Sequence, residues 1–389
     1  MLGVFRRKHK HYRCGLSVPK NPQRSATLVV KRSEIVGFKY SFIGQKESSV
    51  VTTLIFAITF VGLLVLRLSL WALFLRMGLR WAKAVDANRW RIAIATVTVP
   101  VVQFAMNVLF NCVSPSSGAQ FIALAIAEIA AAVIVPCAII CALFELRFLR
   151  AVQAWSPTLL ATLTMLALMY FIVRPLVYEA FTMPTNAMAP TLIGTYWKGT
   201  CPECGAPNYC TPRDEAYVEM ESPLMICDNF HVSTAHEIDR KVHSGDRFMS
   251  AKFLAARRWD LVVFQYPAEP KTMYSKRLVG LPGEKIHIKD GSLWVNGERQ
   301  APPETLQGLA YVSELPGGFG GKLWGSEDRV AELGDDEYFM LGDFSAQSMD
   351  SRLWTKGAPG YHPYAVPKSY LRGVVTHTVW PPSRWRVHR

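Results

Sequence analysis

Four long apolar runs crowd into residues 50–173, and they decide what the chain can fold into. Residues 50–66 are 17 positions without a charge. Residues 92–113 hold no charge either, with Pro100 inside the run. Residues 121–144 are interrupted only by Glu128, and residues 157–173 end at Arg174 and Pro175. A helix that crosses the hydrocarbon core takes roughly 17–25 such residues. As buried helices of a soluble core, four runs this close together would leave too little polar surface to cover them. The reading is a multi-span α-helical membrane region over residues 50–174, with membrane lipid around it. Residues 68–82 set Leu, Trp and Phe around Arg76 and Arg80, and read as an interfacial helix rather than a span. Glu128 reads more simply as a protonated or helix-packed glutamate than as a functional carboxylate. Cys137 and Cys141, four apart on one helix face, read as small apolar packers.

Charge separates the partners open to such a chain. Its 389 residues carry a formal +13. Residues 1–33 hold nine Lys or Arg and no acid, and residues 67–91 hold six against Asp86 alone, so the remainder nets −1. No basic domain is left over to bind nucleic acid, and that class of partner is excluded. The basic N-terminal tail, residues 1–49, is not a cleavable signal peptide, because no apolar segment follows its basic stretch directly. It reads as solvated and in reach of anionic headgroups. Positive charge marks the inner side of membrane loops. On that rule residues 67–91 lie inside, the uncharged SPSSGAQ at 114–120 outside, and residues 146–156, with Arg147 and Arg150, inside. The C-terminal half then falls on the extracytoplasmic side of a cytoplasmic or inner membrane. The tail conflicts with this pattern: either residues 50–66 are re-entrant or interfacial, or the tail crosses against the rule.

After Arg174 the texture changes. Short β-branched or alternating runs recur at 260–266, 285–288, 292–295, 338–341 and 374–379. Asp290-Gly291 and Asn296-Gly297 flank residues 292–295 as hairpin turns. The expectation is a mostly β domain over residues 177–389. Four segments in it carry a recognisable order: FTMPTNAMAPTL at 181–192, RWDLVVFQYP at 258–267, YSKRLVGLPGE at 274–284 and LGDFSAQSMDSRLW at 341–354. Together they resemble the signal peptidase I family, the membrane-anchored serine endopeptidases that remove signal peptides from exported proteins. The resemblance covers residues 177–380.

The resemblance implies a β-rich domain that lies outside the cytoplasm and rests an apolar face on the membrane. It implies a Ser–Lys dyad acting on signal peptides of preproteins. By position it makes Lys276 the general base and Ser348 the hydroxyl that orients this lysine. Asp350 and Arg352 become a structural ion pair, and Thr185 an oxyanion-hole hydroxyl. Lysine acts as a base near neutral pH only if burial lowers its pKa. Met273, Tyr274, Leu278 and Val279 make that neighbourhood apolar. The nucleophile position, however, holds Ala187, whose methyl group has no lone pair and no proton to give up. Asn186 stands where relatives carry a small residue, and Phe344 where they commonly carry Asn. Three readings stay open: a natural pseudo-peptidase, an engineered inactive variant of an active enzyme, or hydrolysis by another route. The two further departures favour the first. Such a protein would bind signal peptides without cutting them, with an active signal peptidase or the export machinery as a further partner.

Residues 195–240 read as an insertion in this domain. It opens TCPECGAPNYC at 200–210, where Cys201 and Cys204, followed by Gly205, have the form of a zinc knuckle. Cys227 and His231 are the expected second pair, with Cys210 the competing ligand and His236 and His243 weaker ones. Disulfides are the alternative, since thiols outside the cytoplasm tend to oxidise; a decayed site with free thiols is another. A site closed by four protein ligands would be structural. This leaves one function of a different class, a membrane scaffold that docks a partner through a zinc-ribbon-like insertion.

Overall fold

The computed structural model describes residues 32–85, 87–113, 117–212, 224–234, 237–314 and 323–389. The basic stretch before Arg32, and His236, lie outside them. The chain divides into two compact units, Met1–Lys46 and Glu47–Arg389. The described part of the first is helical. The second holds the apolar helices and the β domain.

Five helices carry the apolar runs: α1 (Arg32–Trp81), α2 (Arg89–Asn111), α3 (Gly118–Phe144), α4 (Phe148–Trp155) and α5 (Thr158–Leu168), the last widening into π-helical turns over Met169–Val177. By length and composition, four stretches can cross a membrane: Ser49–Trp81, Arg89–Phe110, Gly118–Phe144 and Phe148–Val177. Only 6% to 22% of each apolar window is buried within protein, so most of that surface needs a hydrocarbon solvent.

Two expectations change here. Residues 68–82 are not a separate interfacial helix but the second half of α1. The arginines do not interrupt it, because Arg is a good helix former. Arg76 and Arg80 face out, while Trp71, Leu75 and Leu79 on the other face are buried with Ile92, Val99, Ile140 and Phe144 of α2 and α3. The last stretch begins at Phe148, nine residues before the apolar run that announced it. Glu128 of α3 accepts from the Asn107 amide of α2 at 3.2 Å, and Cys137 is buried in the helical core, as the packing reading of both required.

The β domain is antiparallel. Its largest sheet has eight strands among the described residues, ordered Tyr178–Thr182, Arg247–Ala251, Leu371–Trp380, Leu261–Tyr266, Glu269–Gly280, Glu337–Leu341 and Val366–Pro367, with Arg386–Val387 paired to Leu371–Trp380. A four-stranded sheet holds the two foreseen hairpins. Asp290 and Gly291 (φ 49° and 71°) join Lys285–Lys289 to Ser292–Val295, and Asn296 and Gly297 (φ 51° and 83°) join the latter to Glu298–Gln300. Positive φ at both central residues is what a type I′ turn needs. The insertion is a five-stranded sheet of its own, ordered Val232–Thr234, Leu224–Cys227, Pro207–Cys210, Tyr196–Thr200 and Asp239–His243.

Among the described residues, both ends of the helical region touch the β domain. Phe56 of α1 stacks on His377 at 4.5 Å between ring centres and meets Tyr178 edge-on at 5.6 Å. The Thr52 hydroxyl of α1 donates to the Arg389 carbonyl. At the other end of the helical region, Lys252 N donates to Val177 O at 2.9 Å. There Glu179 is paired with both Arg174 (2.8 Å) and Lys252 (2.5 Å).

Gly78 marks the tightest helix contact. A Cβ at this position would lie 1.9 Å from the Ala154 carbonyl oxygen of α4. Gly78→Val is therefore expected to force the helices apart at a cost of about 1–3 kcal/mol. A thermal melt of the detergent-solubilised protein reads this as a lowered midpoint, and an unchanged midpoint would contradict the packing.

Candidate functional site

The first strand, Tyr178–Thr182, leads into an extended Thr185 and then a single 3₁₀ turn, Asn186–Met188. Asp246 holds the segment in place. Its carbonyl accepts from Met183 N (2.8 Å), its carboxylate accepts from Ile193 N (2.9 Å), and it is paired with Arg384 at 2.9 Å. Ala187 is nearly buried, whereas Thr185 is exposed and makes no side-chain cap on the turn.

Lys276 lies in the strand Glu269–Gly280, which pairs with Leu261–Tyr266 on one side and Glu337–Leu341 on the other. It is 4% exposed, and its Nζ donates to Ser348 Oγ at 2.9 Å. Loss of water pushes its pKa down to about 8; Asp350 pulls it up, Arg352 pushes it down and Asp343 pulls it up, all by less than the loss of water. A desolvated lysine beside a hydroxyl is poised to take a proton near neutral pH.

Gly342 is what lets these parts meet. A Cβ there would fall 2.0 Å from Ser348 Oγ and 2.6 Å from the Ala187 carbonyl oxygen. Only bare backbone fits between the lysine's partner and the turn that carries residue 187. Phe344 N donates to Ala187 O at 3.2 Å, which ties the fourth and first motif segments together.

Beneath this lies a fully buried ion pair. Arg352 donates to the two oxygens of Asp350 at 2.9 and 2.8 Å, and its remaining donors reach Val312 O, Ser345 Oγ and Ser345 O at 2.7–2.8 Å. Asp350 also accepts from Gly342 N at 3.0 Å. Burial alone would raise the Asp350 pKa, but Arg352, then Lys276 and the Gly342 N–H, hold it below the ordinary carboxylate value.

A second buried pair was not foreseen. Arg277 donates from Nε to Asp343 at 2.7 Å, and Asp343 also accepts from Thr191 at 2.5 Å. The signal was present in the motifs: an arginine follows Lys276, and an aspartate follows Gly342, in segments that pair as neighbouring strands.

In the insertion, Cys201, Cys204, Cys227 and His231 bring one ligand atom each to within 4.8 Å of one another. Cys204 Sγ and Cys227 Sγ are 3.7 Å apart, and Cys201 Sγ and His231 Nδ1 are 3.9 Å apart. Zinc–sulfur bonds of about 2.3 Å in a tetrahedron put ligand atoms roughly 3.8 Å apart, so three thiols and an imidazole at this spacing fit a zinc ion. The Ala206 backbone N–H and then the Asn229 amide draw the Cys204 pKa down to about 6, toward the thiolate a metal takes. Burial instead pushes Cys227 up to about 12. Cys210, the competing ligand, is buried on the strand facing Trp197 and takes no part in the cluster. His243 also stands apart, stacked on Tyr196 at 5.0 Å.

A sequence model of the family described as "Signal peptidase, peptidase S26" matches residues 224–380. Over these residues the chain is similar to the signal peptidase I family. Signal peptidase I of Rickettsia bellii (strain OSU 85-389) is 29% identical over 227 residues, covering 52% of this chain and 66% of that protein. Signal peptidase I of Pseudomonas aeruginosa is 38% identical over 119 residues, covering 25% of this chain and 39% of that protein. The chain thus spans just under two thirds of the first relative and well under half of the second. A crystal structure of a signal peptidase I from Enterococcus faecalis V583 aligns with 32% of this chain and 98% of its own at 24% identity and a TM-score of 0.23. Of the residues singled out in the sequence, Lys276, Ser348, Asp350 and Arg352 are brought together.

Removing one partner of a buried ion pair leaves the other charge without compensation, at a typical cost of 3–5 kcal/mol. Asp350→Ala is expected to destabilise the domain by about that much. Denaturant titration of the purified protein checks it, and a loss below about 1 kcal/mol would mean that Arg352 finds another partner.

Proposed function

We propose that this chain is an integral membrane protein that binds the extended ends of signal peptides of exported proteins but does not hydrolyse them. The observation that carries the reading is a methyl side chain at residue 187 beside a buried, deprotonation-ready Lys276. Acyl transfer needs a nucleophile whose proton the lysine can accept. At residue 187 there is no atom to attack the scissile carbonyl. The base, its orienting Ser348 and the Thr185 hydroxyl are the rest of such a site. An extended peptide can still bind by adding a strand beside the motif segments, since main-chain hydrogen bonds do not depend on the missing hydroxyl. The basic residues of 67–91 and the uncharged residues of 114–120 support placing the β domain outside the cytoplasm. An active signal peptidase or the export machinery fits as a partner, because a non-cleaving binder holds the substrate that those proteins handle.

In the same reading the Cys201, Cys204, Cys227 and His231 cluster holds a structural zinc ion. When bound, the metal supplies a cross-link between the two halves of the insertion. The spacing of the donor atoms, four protein ligands enough to close a tetrahedron, supports a structural over a catalytic role.

A preprotein cleavage assay on the reconstituted chain tests the first part. No turnover is expected from the natural sequence. Turnover that disappears in Lys276→Ala would overturn the reading. Ala187→Ser is expected to restore cleavage, with the rate rising as pH passes through about 8, because only the neutral lysine accepts the proton. Metal analysis of the purified protein tests the second part. About one zinc per chain is expected, falling to near zero in a Cys201→Ser/Cys204→Ser variant; less than about half a zinc in the natural protein would remove this site.

A further inference from the structure

Asn186 and Phe344, the two departures noted beside the position of residue 187, both have side chains that reach the insertion, as do Ala189 and Ile193. Asn186 is 1% exposed and uses both ends of its amide. Its nitrogen donates to Thr195 O (2.9 Å) and Thr211 Oγ1 (3.3 Å), and its oxygen accepts from Gly194 N at 2.8 Å. Thr195 and Thr211 bracket the first two strands of the inserted sheet. Gly194 passes so close that a Cβ on it would lie 2.4 Å from the Thr185 backbone.

Phe344 makes the second connection. Its ring is fully buried among Ala189, Ile193, Tyr209 and Ile226, with Phe230 packed against the same group. Ile226 directly precedes the ligand Cys227, and Phe230 directly precedes the ligand His231. Phe230 is held with φ at +64°, a conformation unfavourable for an aromatic residue. Its N–H donates to Cys227 O at 2.9 Å, and Cys227 N donates to His231 O at 3.1 Å. The loop that presents two of the four ligands therefore sets where Phe230 and Ile226 sit. Those residues bear on Phe344, whose backbone N–H holds the Ala187 carbonyl.

We propose that the insertion and the substrate turn form one mechanical unit, in which metal binding at Cys201, Cys204, Cys227 and His231 sets the order of residues 185–194. This rests on the zinc reading above. Asn186 and Phe344 are positioning residues: neither touches a reacting atom, and each passes the state of the insertion to the backbone of the turn. Metal loss frees the Cys227–His231 loop, loosens the packing on Phe344 and releases the turn without altering Lys276.

Hydrogen–deuterium exchange on the full-length protein in detergent micelles tests this, with zinc as the probe and its content measured separately in every sample. Chelation is expected to speed exchange in peptides covering 185–194 by about tenfold or more, and readdition of zinc to reverse it. The hairpin at 285–300 serves as the control for global unfolding and is expected not to change. Asn186→Ala is expected to speed exchange in 185–194 to a similar extent with zinc content unchanged. If chelation deprotects 201–231 but leaves 185–194 as before, the coupling is overturned while the metal site stands. If 285–300 deprotects together with 185–194, metal loss acts on the whole domain and the specific coupling is overturned. A natural protein that carries no zinc overturns both, and the metal measurement identifies that case.

Discussion

The site depends first on the ion pair between Asp350 and Arg352. A carboxylate with no exposure survives in a protein interior only if its charge is matched and its lone pairs are used. Here Arg352 supplies both, and the remaining donor goes from Gly342 N to the same carboxylate. That last bond fixes the backbone at the one place where no side chain fits between Ser348 and Ala187. Arg352 in turn reaches Ser345 and Val312, so two loops that bear on the site are tied to a single guanidinium. Lys276 feels the result as a balance. Asp350 attracts its ammonium form, Arg352 repels it, and loss of water outweighs both, lowering the pKa to about 8.

Much of this was legible in the sequence because its causes are local. Apolar length foretold four crossing-competent helices, and Asp-Gly and Asn-Gly foretold two turns at their true positions. Cys201 and Cys204, with Cys227 and His231, were picked out by spacing, and these four converge, while Cys210 does not. What was not legible depends on partners far apart in the chain. Arg277 and Asp343 lie 66 positions apart, and each reads in isolation as an ordinary surface charge. Residues 68–82 read as interfacial because Leu, Trp and Phe surround Arg76 and Arg80 in sequence, whereas the placement of both arginines on one helix face lets the opposite face pack. Asn186 and Phe344 looked like decay of a motif. In the structure they are buried and partnered, since a sheet inserted elsewhere in the sequence folds back onto them.

This changes how the substitution at 187 is to be understood. Around the methyl group of Ala187, the neighbouring Asn186 and Phe344 form contacts. The turn is held by Asp246 from behind, by Asn186 from the insertion side and by Phe344 from the fourth motif. Its shape therefore does not rely on a hydroxyl at 187 taking part in any hydrogen bond.

The way the β domain is joined to the helices has a geometric consequence. A domain tethered by one flexible connection can swivel about it, so its cleft samples every direction above the bilayer. Here contacts come from both ends of the helical region. Phe56 and Thr52 of α1 grip the strand of His377 and the carbonyl of Arg389, while Val177 and Arg174, after the last helix, grip Lys252 and Glu179. Phe56 also packs edge-on against Tyr178, the residue after Val177, so both ends of the helical region grip the strand Tyr178–Thr182. That strand leads straight into residues 185–188, and the turn beside Gly342 takes its bearing from the helices on either flank rather than from a free tether.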